Sequence, residues 1–434
     1  MFTPAIKLNG VDGTYINNST SDNATRFSFN NIGIVFNSSP KGKRYERSAW
    51  KSSSFAIGIN RVADFNRNYT YNGTNRDTNT ASSFAEKMAY NANMYPEDLS
   101  SPNSLASIGY NSFLVDTFFG SFYSSIVPWK TGINQRRTVK ERGGITDIVL
   151  SFGGNLMEKL MLGATVGLPT LTYRREVTYE ERDATTDPNN YFDNFSFNEN
   201  LTTTGLGINL KLGFIYKPVD AVRIGAAFHT PTYFGLTDVQ NRGISANTEG
   251  LRNALGYAGT TTVLRPGVDI PENTYEYGLT TPWRGVLSAS GIVGKYGFIT
   301  ADYEYVNYAS MRFKFPGYTG AATDINTYIK NNYKGASNFR IGAEGRIDMF
   351  MVRLGFGYYG NPYKNLDYDK ASRIDISGGV GFRADKWFID LGFVNSTYNQ
   401  QEQPYTLDEL NVKVPTATLN NKLNTAALTL GWKF

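Results

Sequence analysis

Apolar and polar residues alternate one for one along much of this chain. In "RIDISGGVGFRADKWFIDLGFV", Ile374, Ile376, Gly378, Val380 and Phe382 share one parity, and Arg373, Asp375, Ser377, Gly379, Gly381 and Arg383 share the other. After "ADK", Trp387, Ile389, Leu391 and Phe393 alternate with Phe388, Asp390, Gly392 and Val394. A period of two is the signature of a strand with one apolar face. "NFRIGAEGRIDMFMVRLGFGYY" repeats the pattern, and so does the ending "NTAALTLGWKF", where Ala426, Leu428, Leu430, Trp432 and Phe434 form one row.

The pattern predicts about 14 strands. Their centres fall near residues 2–16, 25–38, 53–71, 136–153, 159–181, 203–217, 221–238, 276–294, 296–315, 336–347, 350–363, 371–385, 387–405 and 422–434. Short turns at "NLMEKL", "KPVDAV", "GKYG", "RIDMF" and "RADKW" alternate with long connections at 72–134, 182–202, 239–275 and 316–335. Any single hairpin would suit a soluble sandwich. Repeated tiny turns on one rim and long loops on the other suit an all-β, closed antiparallel transmembrane barrel, with the short turns periplasmic. The expectation is one barrel domain over residues 1–434, closed by pairing the last strand with "FTPAIKLNGVDGTY", so that lipid meets no open edge. In "RFSFNNIGIVF" the apolar parity shifts between Phe29 and Ile32, which predicts a β-bulge near Asn30–Asn31. The bulge is read either as a bend of the wall or as a gap in it, and "GINRVADFNRN" in strand three is the neighbouring position of interest.

Composition narrows the classes. The chain has no cysteine and one histidine, His229, so disulfides, thiolate sites and histidine-rich metal clusters are excluded. A formal charge of +5 with scattered basic residues gives no nucleic-acid stripe. No run approaches the ~18 apolar residues of a membrane helix. Met1 opens no signal peptide; export would need one, so the expectation is a mature or trimmed form.

The insert 72–134 is the most informative loop. "SSFAEKMAYNANMY" reads as a helix capped by Ser82 or Ser83. "NSLASIGYNSFLVDTFFGSFYSSIV" carries Leu105, Ile108, Phe113, Leu114, Phe118, Phe119, Phe122 and Ile126 at mixed helical spacing. Such residues either pack together as a lid or form an apolar surface that captures a hydrophobic ligand. Inward parity is shared by Lys211, Arg223, Arg284, Asp302, Glu304, Arg340, Glu344, Arg346, Arg353, Arg373, Asp375, Arg383 and Asp390. They suit a salt-bridged, water-filled lumen; alternatively Arg284, Arg340 and Arg353 clamp a ligand carboxylate, which a planar guanidinium fits. His229 reads as a plain lumen residue. A haem site or a Ser/His/Asp hydrolase would need it, and no serine has a telling spacing. No enzyme activity, cofactor or metal is expected.

The segments "NLMEKLMLGATVGLPTLTYRRE", "KPVDAVRIGAAFHTPTYFGLTD" and "YGLTTPWRGVLSASGIVGKYGFITADYEYVNY" resemble FadL-type outer-membrane transporters, in particular a Bacteroidetes-like branch. The resemblance implies passive uptake of hydrophobic or amphipathic molecules, such as long-chain fatty acids, in the outer membrane of a Gram-negative bacterium. It implies capture at the long loop after strand three and sideways release beside a kinked strand. Implied partners are outer-membrane lipid and lipopolysaccharide, a hydrophobic small molecule, and the barrel insertion machinery reading Trp432 and Phe434. A monomer is expected, with no nucleic acid. The family's N-terminal plug, with its Asn-Pro-Ala segment, has no counterpart in "MFTPAIKLNG", which puts the family's gating scheme in doubt here. The alternatives are a scaffold barrel of a protein-secretion system and a haem or aromatic-compound receptor.

Overall fold

The computed structural model describes residues 1–77, 80, 82–117, 122–185, 187–256, 261–262, 269–317, 319–364 and 371–434. Fourteen wall strands run antiparallel in chain order. They are β1 (Phe2–Tyr15), β2 (Asn18–Ser38), β3 (Trp50–Asp64, then Arg67–Asn75), β4 (Ile133–Leu156), β5 (Leu160–Asp183), β6 (Asn194–Val219) and β7 (Val222–His229, then Tyr233–Asn247). The circuit continues through β8 (Asn273–Thr280, then Arg284–Val293), β9 (Gly297–Asn307, then Arg312–Lys314), β10 (Gly335–Ile347), β11 (Phe350–Tyr359), β12 (Arg373–Arg383), β13 (Trp387–Glu402) and β14 (Ala417–Trp432). β14 pairs with β1 from Phe2↔Leu430 to Thr14↔Thr418, which closes the barrel.

The outward rows are apolar and exposed. On β6, Leu206, Ile208, Leu210, Leu212 and Phe214 point out, while Asn209 and Lys211 point in. Like rows run on β2 (Phe27, Phe29) and β11 (Val352, Leu354, Phe356). Water would not tolerate an apolar band on this scale, whereas the hydrocarbon of a bilayer requires it. The barrel is therefore transmembrane.

Several strands extend beyond their expected ends. β2 begins at Asn18, β6 at Asn194 and β14 at Ala417, because polar, asparagine-rich segments carry the ladder past the bilayer, where both faces can be hydrophilic. The expected loop 182–202 accordingly shrinks to the connection between Asp183 and Asn194. The wall kinks where β7 and β8 contain Pro231 and Pro282, which cannot donate to a ladder. There Thr232 N–H donates instead to Thr281 Oγ1 at 2.9 Å. The bulge lies at Asn30: Thr3 pairs with Asn31 and Pro4 with Phe29, so one residue is left over.

The largest irregularity is in β3, which breaks at Phe65 and Asn66. Opposite the break, Gly143 of β4 accepts from the Phe65 N–H at 3.1 Å, and also from the side chains of Asn66 and Arg61. Gly143 has φ 116°, and a Cβ there would sit 2.0 Å from the Thr172 carbonyl oxygen. Gly143→Ala should destabilise the barrel by about 1–3 kcal/mol. Gly392→Ala, whose Cβ would meet nothing within 4 Å, should be near neutral. Urea unfolding in detergent micelles, followed by tryptophan fluorescence, compares the two; equal midpoints would refute the role given to Gly143.

Candidate functional site

The insert after β3 packs against the long-loop end of the barrel. Helix Phe84–Met94 starts with a capping box: the Ser83 side chain accepts from Ala85 N–H at 3.0 Å, and Glu86 accepts from Ser83 N–H at 2.9 Å. The helix start docks on Glu181 of β5, which is fully buried. Glu181 accepts from Phe84 N–H (2.9 Å), Tyr179 (2.6 Å), Gln135 (3.1 Å) and the Ser83 hydroxyl. A carboxylate at a helix N-terminus also meets the positive end of the helix dipole. Gln135 in turn accepts from Tyr15 at 2.7 Å and donates to Tyr405 at 2.8 Å, joining β1, β4, β5 and the last long loop.

Most of the insert's apolar residues face this plug. Ile108 and Leu114 belong to a buried cluster with Phe84, Met88, Tyr179, Phe195, Phe197 and Leu407, and Leu105 packs against it half-buried. Phe113 is also fully buried. All four are lid core, and Ile108, Phe113 and Leu114 present no open surface. Phe122 is exposed, and Asn93 bonds the backbone of Tyr123 twice (2.7 and 2.8 Å), tying that segment to the helix end where Met94 and Tyr95 are also exposed. Phe118 and Phe119 lie outside the described residues.

Below the lid the lumen is packed. Val11, Tyr15, Tyr69, Tyr71, Val139, Val177 and Leu419 form a second buried cluster that joins facing walls. Beneath it lies a belt of charges. Arg67 pairs with Glu141 at 2.6 Å, and Arg137 and Arg175 share Glu402 at 3.1 and 3.4 Å. Tyr173 and Tyr69 donate to the same two carboxylates, each at 2.6 Å. Paired and hydrogen-bonded, these groups tolerate burial that none would tolerate alone.

Beside this belt the wall is not laddered. β2 pairs with β3 only from Asn31↔Asn60 to Ser38↔Ser53. Above the break, Arg67–Asn75 stays paired with β4 but forms no backbone ladder with Asn18–Asn30. Side chains bridge instead: Asp22 accepts from Thr70 N–H at 2.6 Å, Asn18 donates to Asn72 O at 3.2 Å, and Thr20 donates to Thr70 O. A cavity of about 310 Å³ lies at the break, lined by Lys7, Asn9, Ala24, Arg26, Asp64–Arg67, Glu141, Tyr173, Tyr398 and Leu423. Lys7 binds Asp64 at 3.0 Å, and Arg61 reaches the same carboxylate at 3.7 Å. Arg26 stands directly opposite Lys7 in the ladder. Among the described residues it has neither a hydrogen bond nor an ion pair.

The inner wall toward the short-turn rim is smoother. Gly342, Gly355, Ser377, Gly379, Gly392 and Ala427 line a cavity of about 690 Å³. Arg353 faces it but is held by Glu344 (2.6 Å) and Asp390 (2.7 Å), the latter shared with Arg383 at 2.8 Å. Arg284 and Arg340 are looser, sharing Glu304 at 4.0 and 3.8 Å, with Asp302 3.7 Å from Arg340. The three arginines proposed from parity thus fall into two groups, Arg284 with Arg340 and Arg353 apart. His229 is opposite Lys211 and Arg284 in register, and no serine is hydrogen-bonded to it among the described residues. Arg26, Arg61, Arg67, Arg137 and Arg175 were not singled out from sequence. The signal was present for Arg26, which shares the parity of Asp22 and Ala24 against that of Phe27 and Phe29.

No family model matches the chain, and no curated protein matches it. Solved structures do. A FadL homologue of Pseudomonas aeruginosa is 12% identical with a TM-score of 0.52, covering 100% of this chain and 90% of that one. The toluene transporter TodX of Pseudomonas putida is 10% identical with a TM-score of 0.52, covering 100% and 89%. At these identities the likeness establishes a shared barrel fold.

The lid should respond to pH. Burial, reinforced by the charge of Glu181, pushes the Glu86 carboxyl up to about 7, against the lowering effect of the Ser83 N–H bond. A carboxyl raised on folding favours the protonated state, so its contribution to docking is full at low pH and is lost as pH rises through about 7. Hydrogen exchange of the segment 83–94 should quicken between about pH 4.5 and about pH 7 beyond the intrinsic base-catalysed rise, with no further excess above that. Glu86→Gln, which keeps an acceptor for the cap, should remove the excess; an unchanged excess in that variant would exclude Glu86 as its source.

Proposed function

We propose that this barrel lets hydrophobic or amphipathic small molecules cross the outer membrane of a Gram-negative bacterium by passive diffusion. The observation that carries the reading is the missing ladder between Asn18–Asn30 and Arg67–Asn75, with a cavity behind it. The lower part of this edge, beside the outward Phe27 and Phe29, lies at bilayer depth, where a strand edge without backbone partners is costly. Above it Asn18, Thr20 and Asp22 hold the two strands by side-chain bonds, which can exchange partners without unzipping a ladder. An apolar solute leaving through this seam meets the outward Phe27 and Phe29 and enters hydrocarbon directly.

The cavity also favours a class of ligand. Arg26 offers a guanidinium without a counter-ion, while Ala24, Phe65 and Leu423 supply apolar contact. A long-chain carboxylate matches both features. Arg284 and Arg340 are a second place for a carboxylate in the lumen. Phe122, Met94 and Tyr95 are the exposed apolar residues of the lid available for first capture. One structural neighbour is a toluene transporter, which fits the apolar part of this reading. A scaffold role has one observation in its favour, the buried tyrosine cluster that packs the upper lumen.

Purified protein in liposomes separates these readings. The wild type should move oleate and toluene while holding back a sugar of similar mass. Ala24→Trp, which fills the cavity, should cut both fluxes about tenfold. Unchanged flux in that variant would exclude the seam as the route, and a wild type that moves neither solute would favour the scaffold. Arg26→Ala should lower oleate flux several-fold and leave toluene flux unchanged; an equal effect on both would mean that Arg26 does not recognise the carboxylate.

A further inference from the structure

On the outer face of β4 and β5, side chains meet in register as rungs. The outward rungs ascend from Ile148/Leu168 through Thr146/Thr170 and Gly144/Thr172 to Arg142/Arg174. Both arginines are exposed, and neither has a hydrogen bond or ion pair among the described residues. Like charges directly opposite on neighbouring strands repel, so this rung is unfavourable as it stands. The flanking charges do not correct it. Lys140 faces Glu176 on the next rung, and Arg136 faces Glu180 beyond that, so each of those rungs balances itself.

The position of the rung identifies what would neutralise it. On adjacent β6, the last outward apolar residue is Leu206, which pairs with Thr170. Above it Thr204 faces Thr172, and Thr202 faces Arg174. The arginines thus stand four residues above the top of the apolar band, about 13 Å along the strand. Strand tilt reduces that to about 10 Å of height. This is the headgroup level, on the long-loop side. Between the arginines and the hydrocarbon lies a shelf of threonine hydroxyls.

We infer that Arg142 and Arg174 form a binding site for the phosphate of an anionic outer-leaflet lipid, with Thr172, Thr202 and Thr204 as the hydroxyl floor. Two planar guanidiniums can each give a phosphate paired N–H bonds. The acyl chains of the same lipid would lie against Leu206, Leu168 and Ile148 below. Basic residues near an anionic leaflet are each attractive, and these two are aligned on one rung. The assignment rests on the transmembrane reading and on the long-loop rim facing outward, and not on the passage of any solute.

Native mass spectrometry of the detergent-purified barrel tests it, with lipid A carrying its phosphates and with the same lipid enzymatically stripped of them. The wild type should retain the phosphorylated form and release the stripped form. Arg142→Ala with Arg174→Ala should weaken retention about tenfold, and the double Lys variant should keep part of it. Arg136→Ala, whose rung already holds Glu180, should leave retention unchanged. Equal retention by the double Ala variant, equal retention of the stripped lipid, or displacement by millimolar inorganic phosphate would each overturn the assignment. Heat-modifiable mobility on gels verifies that each variant is folded. Oleate flux in liposomes should be the same for the double Ala variant and the wild type, so failure here is distinct from failure of the transport reading.

Discussion

Every backbone N–H and C=O at bilayer depth must find a partner within the protein, and the rest of this structure follows from that demand. It selects a sheet closed on itself, with β14 laid along β1 over most of its length. It confines Pro231 and Pro282 to places where strands already break and where threonine hydroxyls can substitute for ladder bonds. It also makes the seam between β2 and the upper half of β3 informative. That seam has lost its ladder without losing its contacts, because Asn18, Thr20 and Asp22 bond the facing backbone with their side chains.

A closed wall creates a second demand, which is to fill or hydrate its interior. The lumen is divided by height. Near the long-loop mouth, tyrosines and a buried glutamate hold a lid in place. At mid-height, arginines outnumber the carboxylates they share, with Arg67, Arg137 and Arg175 against Glu141 and Glu402. At the seam too, positive groups are in excess: Lys7 and Arg61 pair with Asp64, and Arg26 lines the same cavity. Toward the short-turn rim, glycine and alanine replace bulk and leave open space. Removing one carboxylate from the belt would leave buried positive charge uncompensated, which is why such pairs resist substitution even where their net stabilisation is small.

Period two made the wall legible. One face of each strand must be apolar to meet lipid, so Ile374 to Phe382 and Leu206 to Phe214 announce strands without help from any neighbour. A one-residue phase shift at Asn30 was enough to locate the bulge, because a slip in parity moves every later side chain to the other face. The start of the lid helix was visible as Ser82 or Ser83, because a cap depends on local spacing; the structure selects Ser83 and adds Glu86 as its partner. The pattern failed where both faces are polar. Asn18–Ala24 and Asn194–Thr202 look like loops because they stand above the bilayer, and their pairing is set by neighbours far away in sequence. The arginine belt was hidden for the same reason: parity places Arg137 and Arg175 inside, but says nothing about Glu402 across the lumen. Hydrophobicity located the lid residues, but its sign is the same for a packed core and a sticky surface. Burial of Ile108 and Leu114 depends on Phe195 of β6 and Leu407 of the last long loop, which arrive from far along the chain.

The upper half of β3 connects these features physically. Tyr69 and Tyr71 point from it into the lumen core, while the backbone of Thr70 and Asn72 forms the seam. Its far end, Asn75, is buried and bonds Thr80 on the path to the lid helix. Nine residues therefore carry one edge of the wall opening, part of the lumen packing and the root of the lid. A strand paired on one side only, to β4, can pivot about that ladder. The chain breaks from the ladder at Phe65 and Asn66, where Gly143 accepts the Phe65 N–H. The lid root and the seam edge thus belong to one segment. In such a geometry any displacement of this segment would carry the lid root and the seam edge together, with no chain of relaying side chains between them.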